Sequence, residues 1–138
     1  MKHYTDSVEE FNRAFNIKVD GGVVADLGEK KNKFRFDLMA EENEEYLEAA
    51  NNNDLHEVAD ALGDMLYILC GTMIEHGLQG RIKNRFDEVQ KSNMSKLDDN
   101  GKPITNGENG VMDWRKPVGK ILKSKNFVEP DFTNILCK

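Results

Sequence analysis

The sequence predicts an all-α fold: a bundle of about four helices with an irregular C-terminal tail, completed by dimerisation. Three observations lead there. Apolar residues recur at helical spacing in successive stretches up to Leu97. Two of those stretches open on a capping-box signature, Asp6-x-x-Glu9 and Asp54-x-x-Glu57. From Asp98 the composition changes to Asn-Gly turns. The chain of 138 residues reads as one domain, with a helical core over about 6–97 and a tail over 98–138.

Behind Asp6, Val8, Phe11 and Phe15 recur at helical spacing and predict a short amphipathic helix up to Asn16, with both phenylalanines in the core. Asp20-Gly21-Gly22 is a loop. A long helix begins after Gly28. Its basic first turn (Lys30, Lys31, Lys33) opposes the helix dipole, so those lysines are either still loop or serve an anion. The turn Asn51-Asn52-Asn53 leads to the next helix, which opens on Asp54 and closes at Gly77, a residue type that favours helix ends. Ile82, Phe86 and Val89 mark a fourth helix. Its apolar stripe continues to Asn93 and Leu97, with Lys96 beside it; Asn93 interrupts the stripe or caps the helix. In the tail, Val111–Trp114 and Lys120–Lys123 are candidate short strands of one small hairpin, and Trp114 is the expected packing anchor. Lys120, Lys123 and Lys125 read as solvated.

The chemistry lies on the two central helices. With about 100° per residue, Phe34, Leu38, Glu41, Glu42, Glu45 and Ala49 share one stripe of the first. Glu57, Asp60 and Asp64 share a stripe of the second with Ala61 and Ile68. The rest of that second helix is almost wholly apolar, which predicts burial, and its acids with it. Helices joined by a short turn pack antiparallel, so the acid stripes should face each other. Carboxylates that close repel and raise one another's pKa. A hard divalent cation relieves this, and Mg²⁺ also keeps coordination positions for water and phosphate. Mn²⁺ is the expected substitute. Glu44 and Glu48 read as a solvated face.

Composition limits the function. A net charge of −6 argues against broad nucleic-acid binding. No membrane-length apolar run and no targeting peptide is apparent, and Cys70 and Cys137 make no disulfide framework; a cytoplasmic protein is the expectation. No GxxxxGK[ST] loop is present, so phosphate is not held by a P-loop. A di-iron bundle needs paired Glu-x-x-His motifs, which are missing.

The motif Glu41-Glu42-x-x-Glu45, then Glu57-x-x-Asp60, then ALGDMLYILCGT, resembles the all-α MazG-like nucleotide pyrophosphohydrolases. That group includes the dimeric dUTPases, the dCTP pyrophosphatases and the phosphoribosyl-ATP pyrophosphohydrolases. The spacer from Glu45 to Glu57 is shorter than usual there. The resemblance implies Mg²⁺-dependent cleavage of a nucleoside triphosphate to the monophosphate and pyrophosphate. Glu41, Glu42, Glu45, Glu57 and Asp60 then form the catalytic shell, with Glu42, Glu45, Glu57 and Asp60 as metal ligands and one of the first three acids orienting water. Asp64 supports a ligand or pairs with a lysine. Arg35 pairs with an acid or touches phosphate. VEEFNRAFNIKV resembles the start of the family, which implies a role near the substrate base as the alternative to a core role for Phe11 and Phe15. KSNMSKL resembles a segment whose Asn and Lys approach the nucleotide, which assigns Asn93, Lys96 and Lys91 to substrate. GKPI and GKILKSKNFVEPDF resemble the tail of the same subgroup, with TNGENGVMDWRKPV as an insertion. Phosphoribosyl-ATP hydrolysis and a non-catalytic dimerisation module are the alternatives.

Phe36 and Leu47 lie roughly opposite Leu38 on the first acid helix, so both of its faces carry apolar residues. One chain with about four helices cannot cover all this surface. An obligate homodimer, or a dimer of dimers, is expected.

Overall fold

The computed structural model describes residues 2–19 and 21–133, and its helices follow the predicted order: α1 Lys2–Ala14, α2 Glu29–Asn51, α3 Leu55–Glu75 and α4 Ile82–Met94. Asp20 and Cys137, included in the sequence readings, lie outside the described residues. The chain divides into two compact units, Met1–Ile82 and Lys83–Lys138. The division falls ahead of the compositional change at Asp98.

In the first unit, α1 and α2 both pack on α3. The core is Val8, Val19, Cys70 and Ile74, with Leu66 packed against them. α1 starts at Lys2, upstream of the predicted cap, so Asp6 is inside the helix and the capping box is unused. Nothing between Lys2 and Asp6 stops a helix, and each propagated residue adds a hydrogen bond. Its end behaves as an αL cap: Asn16 sits at φ 57, and the Ile17 amide reaches back to the Asn12 carbonyl at 2.7 Å. Phe11 and Phe15 are not core residues. They stack on each other at 4.3 Å on the exposed face of α1, where Phe11 also meets the edge of Tyr67.

Lys30, Lys31 and Lys33 are helical, which removes the loop reading. Lys31 pairs with Glu75 and Lys33 with Asp37, so local carboxylates offset their conflict with the dipole. Farther along, Arg35 fastens α2 to α3: its Nε donates to Thr72 Oγ1 at 3.0 Å and its Nη2 donates to the Ile68 carbonyl. Gly71 makes room for it, since a Cβ there would stand 3.0 Å from Arg35 Nη2.

The α2–α3 turn holds Asn53 at φ 56. Asp54 caps α3 as predicted, its carboxylate accepting from the amides of His56 and Glu57 at 3.0 and 3.2 Å. The Asp54 amide itself donates to the Ala49 carbonyl, so Glu57 does not close the box from its side. At the far end, Gly77 takes φ 67, and the Leu78 amide returns to the Met73 carbonyl at 2.8 Å. A Cβ on Gly77 would lie 2.8 Å from the Gly22 carbonyl oxygen. Gly77→Ala combines that backbone contact with a left-handed conformation and is expected to cost about 2 kcal/mol, read as a lower urea midpoint.

The acids of α3 are not buried as the sequence argument required: Glu57, Asp60 and Asp64 are all exposed. α1, α2 and the loop around Val19 pack on this helix within the unit, yet Leu55 stays 80 % and Leu62 49 % exposed. Its apolar surface extends farther than one chain covers.

The second unit is α4 and a tail. Arg85 lies over the ring of Phe132 at 3.5 Å. Ser124 Oγ donates to the Leu97 carbonyl at 2.8 Å, and the Val128 amide donates to Ser95 Oγ at 2.9 Å, tying the tail to the helix end. The expected pairing of Val111–Trp114 with Lys120–Lys123 does not form; a single antiparallel bridge joins Thr105 to Ile121 instead. Trp114 is 88 % exposed and anchors nothing. Asn106, fully buried, takes the anchoring role by donating to the carbonyls of Asp113, Lys116 and Pro117. Lys123 and Lys125 are exposed but paired, with Glu129 and Asp99.

Candidate functional site

The first unit brings the acids of α2 and α3 together where the hairpin closes. A cavity of about 340 Å³ there is lined by Glu45, Glu48, Ala49 and Asn52 of the α2 side, and by Asp54, Glu57 and Asp60 of the α3 side. Helical spacing explains the α2 wall: residues three and four apart share a face. The cap at Asp54 fixes where α3 starts, and Glu57 and Asp60 follow on the same side. Glu45, Glu57 and Asp60 therefore meet across one cavity, as the facing stripes predict.

Glu42 sits differently. It is half-buried, and its Oε2 is buried without a hydrogen-bond partner. Desolvation pushes its carboxyl above the ordinary 4.5, and the charges of Glu45, Asp64, Glu41 and Asp60 push the same way. All of those neighbours are exposed, which leaves Glu42 as the strained member of the cluster.

The sign of that effect gives a test. A carboxyl with a raised folded-state pKa lowers stability as pH rises from its unfolded value through its folded one. Glu42→Gln is therefore expected to raise Tm in metal-free buffer at pH 7–8 by about 1–3 °C. The gain should disappear below the ordinary glutamate range, where Glu42 is protonated in both states. Differential scanning calorimetry across that pH series checks it; an equal gain at all pH values would remove the electrostatic cause.

The donor set suits a hard divalent cation, being carboxylate oxygens with one of them, Glu42 Oε2, already dehydrated and unpaired. Among the described residues, no group of three or more His, Cys, Asp or Glu converges closely enough to hold an ion. The glutamates lining the cavity are long and exposed, so their carboxylates are free to change rotamer.

The remaining predicted residues are placed as follows. Asp64 is exposed on α3 and adds to the charge felt by Glu42. Arg35 is committed to α3 through Thr72 and Ile68, away from the acids lining the cavity. Burial holds its guanidinium below the usual arginine range, and the Glu75 charge opposes that. Asn93, Lys91 and Lys96 belong to the second unit. Asn93 is in the last turn of α4, where its side-chain oxygen accepts from Lys96 Nζ at 2.7 Å. Lys91 lines a small cleft of that unit with Ser92, Ser95 and Asp131.

Sequence reasoning passed over Glu48, Asn52 and Asp54 as parts of the cavity wall. Glu48 had a readable signal: Glu44-Glu45-x-x-Glu48 repeats the acid motif one frame later, and Glu48 follows Glu45 by three residues. Asn52 had none beyond its turn.

Residues 8–93 match the family described as phosphoribosyl-ATP pyrophosphohydrolase, a span that takes in both acid helices and ends at Asn93. A curated relative, "Uncharacterized protein L479" of Acanthamoeba polyphaga mimivirus, is 30 % identical over 127 residues, covering 89 % of this chain and 51 % of that protein. The chain thus spans about half the length of the curated relative it matches. No solved structure matches.

Proposed function

From the premise that the chain belongs to the phosphoribosyl-ATP pyrophosphohydrolase family, a MazG-like group, we propose that it hydrolyses a nucleoside or deoxynucleoside triphosphate to the monophosphate and pyrophosphate. The observation that carries this reading is the cavity walled from two helices by Glu45, Glu57 and Asp60, inside the matched span. Pyrophosphohydrolase chemistry is what the family supports.

Glu42, Glu45, Glu57 and Asp60 would hold Mg²⁺ or Mn²⁺, which when bound supplies charge neutralisation for phosphate oxygens and an acidified water. The chain's own part is to gather the carboxylates. Glu41, the exposed neighbour of Glu42, serves to orient water. Asp64, one turn beyond Asp60, supports a metal ligand or pairs with a lysine. Asn93, Lys96 and Lys91 contribute to binding the nucleotide, and Arg35 positions α2 on α3. No helix among the described residues is long and apolar enough to cross a membrane; work on a cytoplasmic nucleotide pool is part of the proposal.

The test is product analysis. The protein is incubated with Mg²⁺ and a panel of ATP, dUTP, dCTP and phosphoribosyl-ATP, and the products are separated by chromatography. Monophosphate plus pyrophosphate from at least one substrate, lost with a chelator, is the expected result. Diphosphate plus orthophosphate would refute it.

We propose further that the working form is a homodimer or a dimer of dimers. The support is apolar surface left open on the two central helices, at Phe34, Phe36, Leu47, Leu55 and Leu62. Light scattering at micromolar concentration should give at least twice the mass of 15.7 kDa, and a stable monomer would refute it.

A further inference from the structure

Resting on the nucleotide-hydrolase reading above, we propose that Glu48 and Asn52 read the sugar of the nucleotide and favour a ribose over its 2′-deoxy form. Both line the cavity that Glu45, Glu57 and Asp60 share. With a rise of about 1.5 Å per residue, Glu48 lies about 4.5 Å along α2 from Glu45, and Asn52 about 10 Å, toward the hairpin turn. A nucleotide whose phosphates meet the metal-binding acids places its sugar a few covalent bonds away, within this reach.

The two side chains are available. The Glu48 carboxylate and the Asn52 amide make no hydrogen bond or ion pair among the described residues. Asp54, next to them, differs: one of its oxygens is occupied by the helix cap.

Elimination then assigns the ligand part. Phosphate is repelled by a carboxylate that is not among the proposed metal ligands. A base seeks aromatic or apolar faces to stack on, and the only apolar residue of this lining is Ala49. A sugar diol fits: it is neutral, and its hydroxyls donate to a carboxylate in charge-assisted hydrogen bonds. Acidic side chains read ribose hydroxyls in the same way in dinucleotide-binding folds. Asn52, with both a donor and an acceptor, can complete the pair.

The experiment compares matched substrates, ATP with dATP and CTP with dCTP, in wild type, Glu48→Ala and Asn52→Ala. It reads the ratio of kcat/KM within each pair. Equilibrium binding of non-hydrolysable α,β-imido analogues of the same nucleotides, with Mg²⁺ present, gives the ratio for any variant that turns over too slowly. Wild type should favour ribose by about tenfold, a modest factor because the cavity is open to water. Glu48→Ala should bring the ratio close to one, and Asn52→Ala should lower it. Turnover with a wild-type ratio near one, or an unchanged ratio in Glu48→Ala, overturns the sugar assignment and leaves the hydrolase reading standing. Neither turnover nor analogue binding in any pair overturns both.

Discussion

Asp60→Asn is expected to lower pyrophosphate release by about 10²–10³-fold while leaving the fold intact. Asp60 is exposed, lines the acid cavity and contributes to the charge that raises the Glu42 pKa. The substitution keeps the shape of the side chain and removes its charge. A cation site assembled from several carboxylates loses affinity with each one neutralised, while the helix loses no packing, since Asp60 is not in the core. Circular dichroism should show an unchanged helix content and a Tm equal to or slightly above wild type. Glu44→Gln is the control: Glu44 is exposed on the same helix as Glu45 but does not line the cavity, so its rate should stay near wild type. Equal losses in both variants would mean that net negative charge, not the cavity, supports the activity. An active Asp60→Asn enzyme would remove Asp60 from the site.

Asn106→Ala should have the largest effect on stability, about 3 kcal/mol within the second unit. The Asn106 amide donates to the carbonyls of Asp113, Lys116 and Pro117 at 3.1, 2.8 and 3.1 Å, and its oxygen accepts from the Asp113 amide at 2.6 Å. Truncation leaves all these backbone groups without their partner in a place closed to water, since Asn106 is fully buried. The loop is also held by Asp113, whose carboxylate pairs with Arg115 and Lys116 and is kept far below the usual carboxylate range by those hydrogen bonds. That surface pairing is solvated and cannot replace the buried amide. Trypsin cleavage at Arg115 and Lys120 should accelerate by at least about tenfold in Asn106→Ala. Wild-type cleavage rates would show that the loop does not depend on this residue.

The helices were legible because their signals are local. Asp54 announces α3 through a side chain that caps its own first turn, and Gly77 announces its end through a left-handed backbone. The acid stripes were legible for the same reason, since the helical repeat alone puts Glu45 on one face of α2 and Glu57 with Asp60 on one face of α3. The start of α1 was misread because a capping box is a permissive signal; nothing before Asp6 prevents the helix from continuing to Lys2. Trp114 was misread because size suggests burial, whereas a loop buries whichever polar residue can satisfy its carbonyls, here Asn106.

By itself, then, the sequence determined the all-α class, the order of the helices and the facing acid stripes, because these depend on periodicity and on contacts within a few residues. Only the tertiary structure decided that Arg35 is spent on Thr72 and Ile68, that Glu42 alone is strained among exposed acids, and that Glu48 and Asn52 join the cavity wall. Each of these depends on which side chain of one helix meets which surface of another, a distance in space that spacing along the chain does not contain.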